Sequence, residues 1–283
     1  MAGVIRLKQE LQFNTQLGGL LDALKSIAAQ QFQTLERNFR TNKPFFDAIL
    51  TIAGTFDLER LAHPFTKGAG PIGVIVVTSD TGLLGGLNQQ VVIRALQEYR
   101  RQPGELMVIG ERGLSYLREQ RLTAQSFRSP ADHERRAVAG QVRDYALNRV
   151  LAGHLGGLSI VYPKAVSFTV QRVELLRVIP CSEWLRGAHV ARGVRGGPLL
   201  LESPAPGILE YLVWLWLGEQ LVEVLASSRL AELAARSVHL EGSSQELQRR
   251  GKKLLMRYFR ERRELIDRNI RELFAAKALY GKS

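Results

Sequence analysis

A chain of 283 residues with 45 % hydrophobic and 23 % charged side chains can bury a sizeable core, which excludes a disordered tail and favours one or two domains. The formal charge of +12 points to an acidic partner, whether nucleic acid, an anionic membrane surface or an acidic protein. Cys181 is the only cysteine, so an internal disulfide is impossible, a thiolate metal site lacks its ligands, and a reducing compartment is expected.

The N-terminal MAGVIRLKQELQ has charges and glutamines where a secretory signal needs an unbroken apolar region, so no processing is expected. From Ile5 to about Ala53 the pattern is helical, with a break at Asn42, Lys43 and Pro44, because proline fits only the first turn of a helix. Leu17, Leu21, Leu24 and Ala28, resumed by Phe32, Leu35 and Phe39, form a narrow stripe that suits a partner helix. Leu58 to Pro71, with two prolines and glycine and alanine punctuators, reads as a linker.

Beyond it GVIVVTS (Gly73–Ser79), ELMVIG (Glu105–Gly110) and LSIVYP (Leu158–Pro163) are short apolar runs, separated by helical patterns at Leu87–Arg100 and His133–Leu151. Such alternation predicts a small parallel sheet covered by helices. Thr169–Leu176 alternates openly and is expected at an edge. A Gly-, Pro- and Arg-rich loop, Cys181–Gly207, closes this α/β domain.

The chain from about Ile208 to Leu279 contains no proline. A helix of that extent would be on the order of 100 Å long, too long to pack throughout on a small domain. Its most apolar window, Ile208–Ala226, is interrupted by Glu210, Glu219 and Glu223, so a packed amphipathic helix is expected rather than a membrane span. Leu233, Leu240, Leu247 and Leu254 recur at steps of seven, with Ile266, Ile270 and Leu273 continuing, and this is a coiled-coil signal. Gly242 and Gly251 each weaken the helix by about 1 kcal/mol, so a partner must hold it, and the N-terminal helix is the nearest candidate. The expected organisation is an N-terminal helix in residues 1–57, an α/β head in 58–206 and a long C-terminal helix in 207–283.

SDTGLLGGLN (Ser79–Asn88) follows the first strand and invites comparison with a phosphate cradle. The spacing of Gly82, Gly85 and Gly86 fits neither the dinucleotide fingerprint nor the P-loop, no lysine is present, and Asp80 adds negative charge. The glycines are therefore expected to serve a tight strand-to-helix turn, with Asn88 as a helix cap. His63, His133, His154, His189 and His239 are scattered without metal-ligand spacing. Glu111 and Arg112 are expected on a loop after the second strand, and Ser79 lacks a hydrolase context.

Arg249, Arg250, Lys252, Lys253, Arg257, Arg260, Arg262 and Arg263 crowd about four turns against the single acid Glu261. Repulsion at that density weakens a helix unless an acidic surface compensates it. Only Tyr258 and Phe259 accompany the run, so stacking on single-stranded nucleic acid is not indicated. A nucleotide-dependent α/β enzyme and a basic coiled coil binding nucleic acid remain the alternatives to an assembly subunit.

SDTGLLGGLN resembles the TDRGLCGGLN-type signature of the gamma subunit of F-type ATP synthases. MVIGERGLSYL, LSIVYPKAVSFTVQRVELLRVIP and LLLESPAP resemble further segments of that family, AELAARSV resembles SEQAARMV, and DALKSIAAQ resembles KAMKMVAAS. Tyr258, Arg262, Ile266, Glu272 and Leu273 fall on matching positions. The resemblance implies a Rossmann-like parallel-sheet domain inserted between long terminal helices that form an antiparallel coiled coil. It also implies a non-catalytic rotor of the central stalk, at the cytoplasmic face of the bacterial inner membrane and reaching the membrane only through its complex. Its implied partners are the alpha and beta subunits, the epsilon subunit and the c-ring, with no nucleic acid, cofactor or metal. The basic run would face the hexamer, Arg262 foremost. Thr81, Leu84, Asp267, Asn269 and Ala276 depart from the family pattern and imply a divergent branch, of which sodium-type alternative synthases are one instance.

Overall fold

The computed structural model describes residues 2–39, 41–55, 61–182, 184–185 and 203–280. Most of the loop after Cys181, including His189 and the LLLE stretch, lies outside the described residues. Two compact units form, Gln31–Ala235 and the pair Met1–Gln30 with Arg236–Ser283. The first helix, α1 (Ala2–Asn38), and the last, α7 (Ala205–Tyr280), contribute to both.

Within Gln31–Ala235, α2 (Lys43–Thr55) begins after the break, with Pro44 in its first turn, where a missing N–H costs nothing. Asn42 O accepts from Phe45 N–H and Phe46 N–H at 3.0 and 3.2 Å. The expected linker contains a short helix, α3 (Pro64–Lys67), whose preceding His63 Nδ1 accepts from Phe65 N–H. The segment is thus ordered by a local cap that its prolines and glycines did not announce.

The sheet holds β1 (Ile72–Val77), β2 (Pro103–Ile109), β3 (Gln125–Phe127), β4 (Gly157–Ala165) and β5 (Gln171–Ile179), in the order β3-β2-β1-β4-β5. The first four run parallel, and β5 closes one edge antiparallel to β4. The helices of the crossovers are α4 (Leu87–Tyr99), α5 (Glu111–Glu119) and α6 (Arg135–Leu151). Alternation along β1 sends Val74 and Val76 to a core with Val91, Ala95, Leu114 and Leu117 of α4 and α5. Ile75 and Val77 go to the opposite core, with Val142 and Ala146 of α6 and Leu217 and Leu221 of α7. Both faces are covered, which is why these strands are continuous apolar runs.

The Ile208–Ala226 window therefore belongs to a protein core: Leu209, Leu217 and Leu221 are fully buried there. Each such burial contributes about 1.5–3 kcal/mol. No helix among the described residues is long and apolar enough to cross a membrane.

In the other unit α1 and α7 run antiparallel. Lys25 Nζ meets Glu241 Oε2 at 2.8 Å, Ser244 Oγ donates to Asp22 Oδ1 at 2.9 Å, and Asn14 Nδ2 donates to Leu247 O at 3.2 Å. A Cβ added at Gly3 would lie 2.8 Å from Glu261 Oε2, so contacts step up one helix as they step down the other. Leu240 and Leu254 are buried, with Leu247 half-buried between them. The expected continuation fails: Ile266, Ile270 and Leu273 are 45 %, 45 % and 70 % exposed. These three side chains stand C-terminal to the contact of α7 with Gly3 of α1, near Glu261.

Candidate functional site

The strand order reverses between β1 and β4, and beyond their C-terminal ends is the place at which open α/β sheets ordinarily receive a ligand. Here the glycine loop lies, and its Ser79 and Asn88 are buried. Ser79 N–H donates to Asn88 Oδ1 at 3.2 Å, and Asn88 Nδ2 donates to Ser79 Oγ at 2.9 Å. Asn88 is therefore a buried tie between loop and α4 rather than the expected cap. The cap position is Gly86, at φ 89°, and an asparagine two residues further on reaches back to the strand end more readily than to its own helix.

The glycines differ in what they do. Gly85 and Gly86 have φ 58° and 89°, a left-handed conformation that costs glycine little. Gly82 does not adopt it, whereas its neighbour Leu83 does, at φ 65°. A Cβ on Gly82 would sit 3.3 Å from the Arg112 guanidinium.

Glu111 and Arg112 lie in the first turn of α5, not on a loop, because Gly110 at φ 97° reverses the chain directly into the helix. The first amides of α5 are consumed by the glycine loop and the strand end. Glu111 N–H donates to Asp80 Oδ1 at 2.9 Å, Arg112 N–H to Ser79 O at 3.1 Å and Gly113 N–H to Thr78 Oγ1 at 3.0 Å. A helix N-terminus attracts anions, and Asp80 supplies an internal one. On the far side Thr81 Oγ1 donates to Glu232 Oε1 of α7 at 3.1 Å, and Arg229 meets the same carboxylate at 2.8 Å. Neither Glu232 nor Arg229 was singled out from the sequence, since both are far from the loop along the chain. The only local signal was a charged pair in an otherwise Ala- and Leu-rich stretch.

Elsewhere several titratable groups are engaged by their neighbours. Asp144 is held low by the Arg143 guanidinium, which also lies 3.6 Å over the Trp214 ring. Tyr145 is pushed up by its hydrogen bond to Glu105, and Tyr162 by burial. His63 is buried beside Glu210, and His154 meets Arg149. Among the described residues no three His, Cys, Asp or Glu side chains are grouped to hold a metal ion.

The eight basic residues at Arg249, Arg250, Lys252, Lys253, Arg257, Arg260, Arg262 and Arg263 are all exposed on α7. Arg249 has Glu246 at 3.7 Å, and among the described residues none of the other seven has a carboxylate within ion-pair distance. Met256, Phe259, Leu273 and Phe274 are exposed on the same helix, at 73 %, 46 %, 70 % and 69 %. Side chains of both kinds thus face outward, charge and apolar surface together.

A protein-family model described as ATP synthase matches residues 6–279. The chain belongs to the ATP synthase gamma-chain family. The ATP synthase gamma chain of Clostridium acetobutylicum is 25 % identical over 280 residues, covering 96 % of each chain, and that of Burkholderia lata is 22 % identical, covering 98 % of this chain and 99 % of the other. Among solved structures, a chain of the Euglena gracilis mitochondrial ATP synthase OSCP/F1/c-ring assembly matches with a TM-score of 0.70 at 16 % identity, over 98 % of this chain and 94 % of that one. A chain of the Tetrahymena thermophila central stalk/c-ring structure matches with a TM-score of 0.57 at 20 % identity, over 80 % and 99 %. At these identities the structural likeness speaks for the fold alone. For this gamma-family chain, the glycine loop sits in the α/β unit and the basic run on the helix pair.

Proposed function

We propose that this gamma-family chain is the rotor of the central stalk of an F-type ATP synthase. In this reading α1 and α7 turn inside a hexamer of alpha and beta subunits, while the α/β unit sits with the epsilon subunit above the c-ring. Ion flow through the ring turns the rotor, and its asymmetry drives the catalytic sites of the beta subunits through successive conformations. The chain itself carries no chemistry. It resides at the cytoplasmic face of the bacterial inner membrane, held there by its complex, a reading supported by its bacterial relatives.

The observation that carries this reading is the row of exposed cations on an antiparallel helix pair, seven of them without an ion-pair partner among the described residues. Such a surface favours an acidic surround of protein size, since screening by small ions leaves the apolar side chains beside it in water. The glycine loop supports a non-catalytic role, because Asp80 takes the first amide of α5 and the Glu232 carboxylate stands against Thr81.

Co-expression of the full chain with its alpha and beta subunits is expected to yield a large ATP-hydrolysing complex containing all three. Recovery of the chain outside an otherwise complete hexamer would sink the proposal.

A further inference from the structure

The crevice at the strand-order reversal is filled from within, and one polar group there is left over. Ser228 of α7 is 8 % exposed, and its Oγ has no hydrogen-bond partner among the described residues. A helical serine ordinarily bonds the carbonyl four residues back, and this one does not. The residue lines a cavity of ≈ 30 Å³ shared with Thr78 and Ser79 at the end of β1, Asn88 of α4, and Arg229 and Glu232 of α7. All of these belong to the unit Gln31–Ala235.

A buried hydroxyl without a partner costs about 1–3 kcal/mol, and a dry cavity is stable only when its lining is apolar. This lining is mixed, with Ser79, Asn88 and Glu232 beside Ser228 among Leu84, Leu87 and Leu225. One water needs roughly 10–15 Å³ and two to four polar neighbours, so the volume admits about two or three waters at most and no nucleotide, sugar or phosphate.

We propose that this crevice is a small-ligand site whose ligand is an ordered water, hydrogen-bonded to Ser228 Oγ and to polar groups of the strand end. The water joins α7 to the sheet. Glu232, held by Thr81 and Arg229, brings a carboxylate to the same lining. The site thereby serves helix docking in place of small-molecule recognition, and it does so whether or not the chain acts as a rotor.

The test is a crystal structure of the full chain at a resolution that shows ordered solvent, together with thermal unfolding of Ser228→Ala and Ser228→Val. Spherical density within hydrogen-bond distance of Ser228 Oγ is expected. Ser228→Ala should lower the unfolding midpoint by one or two degrees. Ser228→Val, whose extra methyl displaces the water from its remaining neighbours, should lower it further. Absence of that density, or a midpoint that holds or rises in Ser228→Val, would overturn the proposal, because an apolar side chain improves a dry cavity.

Discussion

The backbone N–H of Asn42 donates to Glu223 Oε1 at 2.6 Å, so the turn between α1 and α2 is tied to a carboxylate of α7. Asn42 Nδ2 reaches Glu219 Oε1 at 3.2 Å, and Arg136 meets the other oxygen of Glu219 at 3.0 Å. Burial raises the Glu223 carboxyl above its usual range, the Asn42 N–H opposes that shift, and the Glu219 charge adds to it. A carboxyl raised in the folded state binds its proton more tightly there than in the unfolded chain. Its contribution to stability is therefore complete below the unfolded value of about 4.3 and is lost as pH rises through the folded value. Glu223→Gln keeps an acceptor for Asn42 and removes the charge. It should stabilise the chain at pH 7 by a few tenths to about 1 kcal/mol, a figure discounted for the water that reaches this half-buried group. In chemical denaturation, the gain should disappear below about pH 4.

The two glycines of α7 within the helix pair should respond differently to alanine. A Cβ at Gly242 meets nothing within 4 Å, whereas at Gly251 it would lie 2.7 Å from Asn14 Nδ2. Gly242→Ala is expected to add about 0.8–1 kcal/mol from helix propensity alone. Gly251→Ala should gain less, because Asn14 must give up its bond to Leu247 O. In an Asn14→Ala background it should recover the full gain, and a double-mutant cycle by urea unfolding measures the coupling.

Gly86 and Gly110 both have positive φ, for different reasons. Gly86 has open space around its Cβ position, while at Gly110 a Cβ would lie 2.3 Å from Thr78 O. Gly86→Ala should cost about 1–2 kcal/mol of backbone strain. Gly110→Ala should cost more than about 3 kcal/mol, since two backbones must separate. Equal losses in guanidinium titrations would show that close approach is not what Gly110 provides.

Like charges on α7 should make the isolated chain salt-stabilised. Raising ionic strength from about 0.05 to 0.5 M shortens the screening length from more than 10 Å to a few ångströms and relieves that repulsion. The unfolding midpoint should rise accordingly. Arg257→Gln with Arg260→Gln should start higher and gain less from salt. In the assembled complex the same double variant should dissociate at lower salt than the unaltered chain, as read by gel filtration.

Much of the architecture was legible from local patterns. Continuous apolar runs identified strands buried on both faces, the open alternation of Thr169–Leu176 marked the edge strand β5, and Pro44 marked the start of α2. The glycine spacing and Asp80 argued against phosphate binding before any contact was known, because that chemistry depends on residues within one loop. Periodicity failed at Ile266, Ile270 and Leu273, which are exposed C-terminal to the contact of α7 with Gly3. A repeat states which face is apolar, not what covers it.

Partners distant in sequence were decided only by the tertiary structure. Thr81 and Glu232, or Asn42 and Glu223, leave no spacing to read, because each is an ordinary polar residue whose role exists only once the sheet and α7 are packed. Asn88 looked like a cap because capping is local, and it became a tie because folding set Ser79 at the end of β1 against its side chain. Sequence alone thus determined most of the elements, the charge and a glycine spacing that matches no phosphate fingerprint, all set by short-range chemistry. Closure of the crevice required folding, since hydrogen bonds between remote side chains depend on where packing brings them.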